Sequence, residues 1–177
     1  MIARRTGAIG LLLGVGIMAA ASAKPVMLNT TSSEPEGLYV VVKRHPNAIT
    51  TGRLVDACPP ASSVIRLGVN RHYLATGTCP DGAVPVLKQI EAVAGDTVSL
   101  SPNGVAVNGR LLPNTAPLAH DPQGRPLPHY PFGTYHVRRG QAWLLSTFSP
   151  FSFDSRYFGP VPVAAIRAIV RPLWTEQ

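Results

Sequence analysis

Eighteen prolines and sixteen glycines are spread through a chain of 177 residues, and that frequency limits the available folds more than any other feature. Proline removes a backbone donor and clashes inside a helix, while glycine costs conformational entropy in any regular element. A helical bundle is excluded, whereas short extended segments joined by turns are favoured. Charged residues make up only 14% of the chain, which separates it from charged disordered tails. A body of roughly 150 residues is large enough to bury a core without metal or many disulfides. The expectation is an all-β or β-dominated domain, a partly open barrel of short strands.

Ahead of that body, Arg4 and Arg5 precede an apolar run from Ala8 to Ala23. Positive residues before an apolar stretch orient a chain with its start in the cytoplasm. The run is shorter than the about 20 residues of a full span and ends in Ala21-Ser22-Ala23, which suits cleavage. It is either removed after export or retained as a hydrophobic helical anchor, extended through Pro25, Val26, Met27 and Leu28. The chain thus divides into an N-terminal signal or anchor segment, 1–28, and one domain, 29–177, outside the cytoplasm. Cys58 and Cys79 agree with that side. An even cysteine count in an exported chain favours a disulfide, here closing a loop of about 20 residues and adding about 3 kcal/mol. A cysteine nucleophile has no base marked nearby. Zinc would need Cys-x-x-Cys or clustered histidines, and His45, His72, His120, His129 and His136 are scattered. No metal or cofactor is expected.

The formal charge of +7 arrives without a long basic run or interleaved aromatics, so nucleic acid is not the expected partner. Attraction to anionic lipid head groups of a membrane accounts for the charge, as does a scattered solvated surface.

Leu38–Val42 is rich in β-formers and reads as a strand behind a Thr/Ser/Pro/Gly loop. Short extended pieces such as Ser63–Leu67 are expected between residues 50 and 80. Val84–Val93 reads as a strand with apolar residues on both faces, stopped by Gly95-Asp96, and Thr97–Leu100 follows. Asn103-Gly104 and Asn108-Gly109 between short extended runs signal hairpins, so residues 86–112 read as a β-meander. The proline-rich stretch 113–131 is a loop or flap. It either borders a groove or runs plainly over the surface. Tyr135–Val137 and Ala142–Leu145 are strands, and Val161–Arg171 ends the chain as a strand or short helix.

Three places carry chemistry. Ser33 lies in Thr31-Ser32-Ser33-Glu34-Pro35-Glu36-Gly37, a loop stiffened by proline and able to present a hydroxyl to a cleft. Lys88 lies among Val86, Leu87, Ile90 and Val93. Facing inward it would be desolvated, its pKa would fall, and the neutral amine could accept a serine proton; facing outward it would snorkel into water. Asp154, Ser155 and Arg156 put a carboxylate, a hydroxyl and a guanidinium in consecutive positions. They form either an ion pair that shapes a loop or a support for the lysine amine, and the two are compatible.

The order of these places resembles the signal peptidase I superfamily, serine peptidase family S26, and most closely its TraF-type conjugative transfer branch. The resemblance rests on Asn29-Thr30-Thr31-Ser32-Ser33-Glu34-Pro35-Glu36-Gly37-Leu38-Tyr39, on Lys88 in a strand ending in Gly95-Asp96, and on Asp154 to Pro162. It implies Ser33 as nucleophile, Lys88 as general base, Thr31 as an oxyanion donor beside the Ser33 amide, and Asp154 in support. Ser155, Arg156, Gly95 and Asp96 would hold the site in shape. Ser32 is a competitor, since it stands three steps before Pro35, the spacing of the housekeeping enzymes, while Ser33 stands two steps before it, as in the TraF-type branch. The resemblance further implies an exported, membrane-associated endopeptidase on the periplasmic face of a bacterial inner membrane. Its expected substrate is a pilin precursor for conjugation, with a preference for small residues beside the cut. That precursor would be hydrolysed, or cyclised through its own amino terminus, in the company of conjugation or type IV secretion components. The competing expectation is a non-catalytic exported β-domain serving as a structural part of that apparatus. The two diverge on whether Ser33 and Lys88 lie within hydrogen-bond reach.

Overall fold

A computed structural model describes residues 25–42 and 49–176 of the chain. The expected leader helix and His45 lie outside the described residues. Among the described residues, no helix is long and apolar enough to cross a membrane.

Among the described residues, eleven strands form two sheets. The larger contains β1 (Val26–Asn29), β2 (Gly37–Val42), β3 (Leu54–Ala57), β4 (Val86–Val93), β9 (Gln141–Leu145), β10 (Val161–Pro162) and β11 (Ile166–Thr175). Its order is β1-β2-β11-β3-β4-β9-β10, an open, curled half-barrel whose pairings are antiparallel throughout. The smaller sheet contains β5 (Thr97–Ser101), β6 (Gly104–Val107), β7 (Arg110–Leu111) and β8 (Gly133–His136), in the order β7-β6-β5-β8. The β-dominated, partly open expectation therefore holds.

Local expectations meet mixed outcomes. Asn108-Gly109 forms the two-residue turn between Val107 and Arg110, with φ of 49° and 81° at its two positions, as an Asn-Gly hairpin requires. The other pair is displaced. Ser101 opposes Gly104, so Pro102-Asn103 makes that turn, and Gly104 begins β6. Residues 86–112 are not one meander either, because β4 belongs to the larger sheet and β5 to the smaller. Residues 26–28, assigned from sequence to the N-terminal segment, form the edge strand β1 together with Asn29. Ser63–Asn70 is a helix, α1, instead of an extended piece. The Ser62 hydroxyl caps it by accepting from Ile65 N, and Ile65 and Gly68 turn inward at helical spacing. A Cβ on Gly68 would lie 2.8 Å from the Phe153 ring, so glycine is what lets α1 close on the sheet. The Cys58–Cys79 disulfide spans α1 with a Cα–Cα distance of 5.4 Å. The chain's last segment divides into β10, a 3₁₀ turn at Val163–Ala165 and the ten-residue β11.

The main core packs α1 and the short helix α2 (Ser155–Phe158) onto the larger sheet through Ile65, Val86, Ile90, Leu144, Phe153 and Ile166. Each such side chain, fully buried, contributes about 1.5–3 kcal/mol. A second core of Val98, Leu100, Val105, Trp143 and Leu145 joins the two sheets. Strand β4 lies between β3 and β9 and is buried along most of its length. Lys88 shares a face of it with Val86 and Ile90, so the strand carries a charged residue into the interior.

Candidate active site

The loop joining β1 to β2 is fastened from several sides. Asn29, buried at the end of β1, donates through Nδ2 to the carbonyls of Thr31, Glu34 and Pro35 at 3.0, 3.1 and 3.0 Å. Its Oδ1 accepts from Thr31 N at 3.1 Å and from Thr31 Oγ1 at 2.8 Å. The Tyr39 hydroxyl donates to Pro35 O at 2.5 Å. Gly37, at φ 140°, closes the loop where a Cβ would meet Trp174 O at 2.2 Å, so no other residue fits. From the far side, Ser146 Oγ donates to Ser33 O.

This scaffold aims Ser33 at Lys88. Lys88 Nζ donates to Ser33 Oγ at 2.7 Å across 55 positions of sequence, and to Leu87 O at 2.8 Å. The contact belongs to Ser33; Ser32 is exposed and makes no bond to the amine. Thr31 Oγ1 lies 3.3 Å from Ser33 Oγ. Lys88 is 3% exposed. Burial lowers its pKa to about 8, while Asp154 and then Glu34 pull it upward and Arg156 pulls it down. The lysine therefore faces inward, and its ammonium is destabilised for want of water.

Asp154 and Ser155 do not hydrogen-bond that amine. Asp154 caps α2 and forms a bidentate pair with Arg156, Oδ1 to Nε and Oδ2 to Nη2, both at 2.9 Å. Its Oδ2 also accepts from Ser146 N at 3.1 Å. Arg156 donates further to the carbonyls of Asn114, Ala116, Pro150 and Ser152. Ser155 Oγ accepts from Leu144 N at 2.9 Å, fixing the segment to β9. Asp154 thus acts on Lys88 by charge across space, and Ser155 and Arg156 organise the loop. Gly95, at φ 99°, and Asp96 shape the turn after β4, where Asp96 Oδ2 accepts from Val93 N at 2.8 Å; neither lines the cleft.

The cleft itself, about 570 Å³, runs past Thr31, Ser33 and Lys88 between β1 and the segment Val84–Leu87. Leu118, Asp121, Pro122 and Leu127 line it too. The proline-rich stretch therefore borders the groove and is not a plain surface excursion. Asp121 anchors that stretch by accepting from the Tyr73 hydroxyl and from Arg125. Among the described residues, no cluster of three or more His, Cys, Asp or Glu could hold a metal.

Two contributors lack a readable sign in the sequence. Ser146 stands 113 positions from the serine it fastens. Glu34 has the look of an exposed loop acid but is 6% exposed; burial raises its pKa to about 7, against the pull of Lys88. The clamp made by Asn29 had a local signal, since an Asn two residues before a Thr in a loop is a natural Asx turn.

The signal peptidase, peptidase S26 family model matches residues 2–174. A plasmid transfer protein TraF of Escherichia coli is 39% identical over 169 residues, covering 96% of this chain and 91% of that protein. A probable conjugal transfer protein TraF of Sinorhizobium fredii (strain NBRC 101917 / NGR234) is 41% identical over 167 residues, 93% of this chain and 85% of the relative. Among solved structures, a signal peptidase I from Enterococcus faecalis V583 aligns with a TM-score of 0.42 at 17% identity, covering 73% of this chain and 100% of its own.

Proposed function

The chain belongs to the signal peptidase, peptidase S26 family, and from that premise we propose that it is a serine endopeptidase with a Ser33–Lys88 dyad, maturing a pilin precursor for conjugative transfer. The observation that carries the proposal is the 2.7 Å approach of Lys88 Nζ to Ser33 Oγ inside a cleft, at hydrogen-bond reach for a proton transfer. The alternative, a structural β-domain, gives no reason for a buried lysine to meet a serine 55 positions away.

In the proposed reaction the neutral Lys88 amine takes the Ser33 hydroxyl proton as Oγ attacks the scissile carbonyl. The resulting oxyanion is met by the Ser33 amide and by Thr31 Oγ1. For this the Thr31 hydroxyl turns away from Asn29 Oδ1, where it now donates; such a donor is worth about 3 kcal/mol. The Lys88 ammonium then protonates the leaving amine, and water or a substrate amino terminus resolves the acyl-enzyme. Strand β1 pairs only with β2 among the described residues and lines the cleft. Its free edge suits an extended peptide added as a further strand. The TraF names of the relatives support the conjugative setting, and the family supports an exported or membrane-associated protein, here assigned to the periplasmic face of the inner membrane.

The test is co-expression of a candidate pilin precursor with wild type, Ser33→Ala, Ser32→Ala and Lys88→Ala, read by product mass. Processing lost with Ser33→Ala and Lys88→Ala but kept with Ser32→Ala supports the dyad, and the mass separates cyclised from linear product. Normal processing by both dyad variants returns the structural alternative.

A further inference from the structure

Glu34 follows the nucleophile directly, is 6% exposed, and its Oε1 is fully buried without a hydrogen-bond partner. A buried carboxyl atom left unpaired costs about 1–3 kcal/mol, more when charged. A purely structural residue here would not need that group. The part of Glu34 that shapes the loop is its backbone carbonyl, held by Asn29 Nδ2, and any residue supplies one. Glu34 does not line the cleft, so its carboxyl is not a substrate contact. It also makes no hydrogen bond to Lys88, whose Nζ is occupied by Ser33 Oγ and Leu87 O. What remains is a carboxyl in a dry place, one residue from the nucleophile, on which the Lys88 charge and then the Ser146 hydroxyl act.

We propose that Glu34 is a positioning residue for the base: its carboxyl, held behind the nucleophile and away from substrate, sets the protonation state of Lys88. This rests on the serine–lysine reading. The pair behaves as one coupled unit. Ionised, Glu34 stabilises the ammonium; protonated, it releases the amine. The state with a neutral acid and a neutral amine carries the same net charge as the state with carboxylate and ammonium. A single proton shared by the two can therefore free the amine without a change in the site's total charge. The other charged and titratable groups acting on the pair are Glu91 on β4, Asp154 and Arg156 on the segment after β9, and Tyr39 on β2. Asp154 is neutralised locally by Arg156, and Glu91 is drawn on by Arg110. Glu34 alone among these acids is buried with a carboxyl oxygen, Oε1, that has no hydrogen-bond partner, and it sits in the loop of the nucleophile.

The chain has three lysines, Lys24, Lys43 and Lys88, so lysine ¹³Cε signals of the full-length labelled protein can be assigned with Lys88→Ala and titrated singly. The wild-type Lys88 signal should turn over near pH 8. In Glu34→Gln and Glu34→Met the midpoint should fall by about one pH unit. The acid limb of Ser33 labelling by a fluorophosphonate should move with it. An unchanged or higher midpoint in either folded variant overturns the inference, as does loss of the folded spectrum in both, which makes Glu34 structural. A wild-type midpoint near 10.5 instead removes the neutral base and overturns the serine–lysine reading itself.

Discussion

Two cations lie buried in the same interior and meet opposite fates. Arg156 is fully enclosed, 0% exposed, with a bidentate carboxylate and four carbonyls around its guanidinium. Burial alone would lower its pKa, but the Asp154 bonds and charge more than offset this and raise it. Lys88, at 3% exposure, has one hydroxyl and one carbonyl and no carboxylate in contact. Its pKa falls to about 8. A low dielectric penalises both charges alike; the difference is the partners supplied. Full compensation makes a permanently charged structural post, and incomplete compensation leaves an amine whose pKa falls to about 8. The chemistry of the two side chains suits the division, because guanidinium does not deprotonate in proteins and an amine does.

The sharpest break of that contrast is Lys88→Arg, which puts a permanent cation at the first site. Ser33 reactivity should drop on the order of 10⁴-fold, measured as the labelling rate in protein shown by circular dichroism to be folded. Next in size is Asp154→Asn, which turns the compensated site into an uncompensated one. Arg156 is left buried and unpaired, at a cost of about 3–5 kcal/mol in urea unfolding. The same change removes the charge that raises Lys88 most, so the acid limb of activity should move to lower pH. The double variant Cys58→Ser/Cys79→Ser separates global stability from site electrostatics. It should lose about 3 kcal/mol while the acid limb stays near pH 8. The smallest effect is expected of Asn29→Ala, which frees the loop without touching either cation. Labelling should slow about 10-fold, with a smaller movement of the acid limb than Glu34→Gln gives.

The sequence held one half of this contrast more openly than the other. A lysine between valine, leucine and isoleucine in a strand-like run already forces a choice between snorkelling and desolvation, and Ser33, Lys88 and Asp154–Arg156 stand in the order of a known family. Short strands bounded by Gly and Pro were readable for the same local reason, as at Asn108-Gly109. What resisted was decided by tertiary contact. Ser63–Asn70 carries the β-branched Val64, Ile65 and Val69, yet Ser62 and the Ile65/Gly68 spacing make it a helix against Phe153. The Val26–Asn29 segment continues the apolar leader in composition, and only pairing with β2 makes it a strand. Glu34 and Ser146 act through burial and through a contact 113 positions away, and neither leaves a periodic trace. Asp154 and Ser155 were expected near the amine; the bonds they make instead go to Arg156, Ser146 N and Leu144 N.

The most direct measurement of the central claim is the site and pH dependence of covalent modification by a fluorophosphonate, located by peptide mass spectrometry. The account predicts modification at Ser33 and not Ser32, a rate that rises with pH through a midpoint near 8 as Lys88 loses its proton, and no modification in Lys88→Ala. Modification at Ser32, or an equal rate at Ser33 in Lys88→Ala, would contradict it.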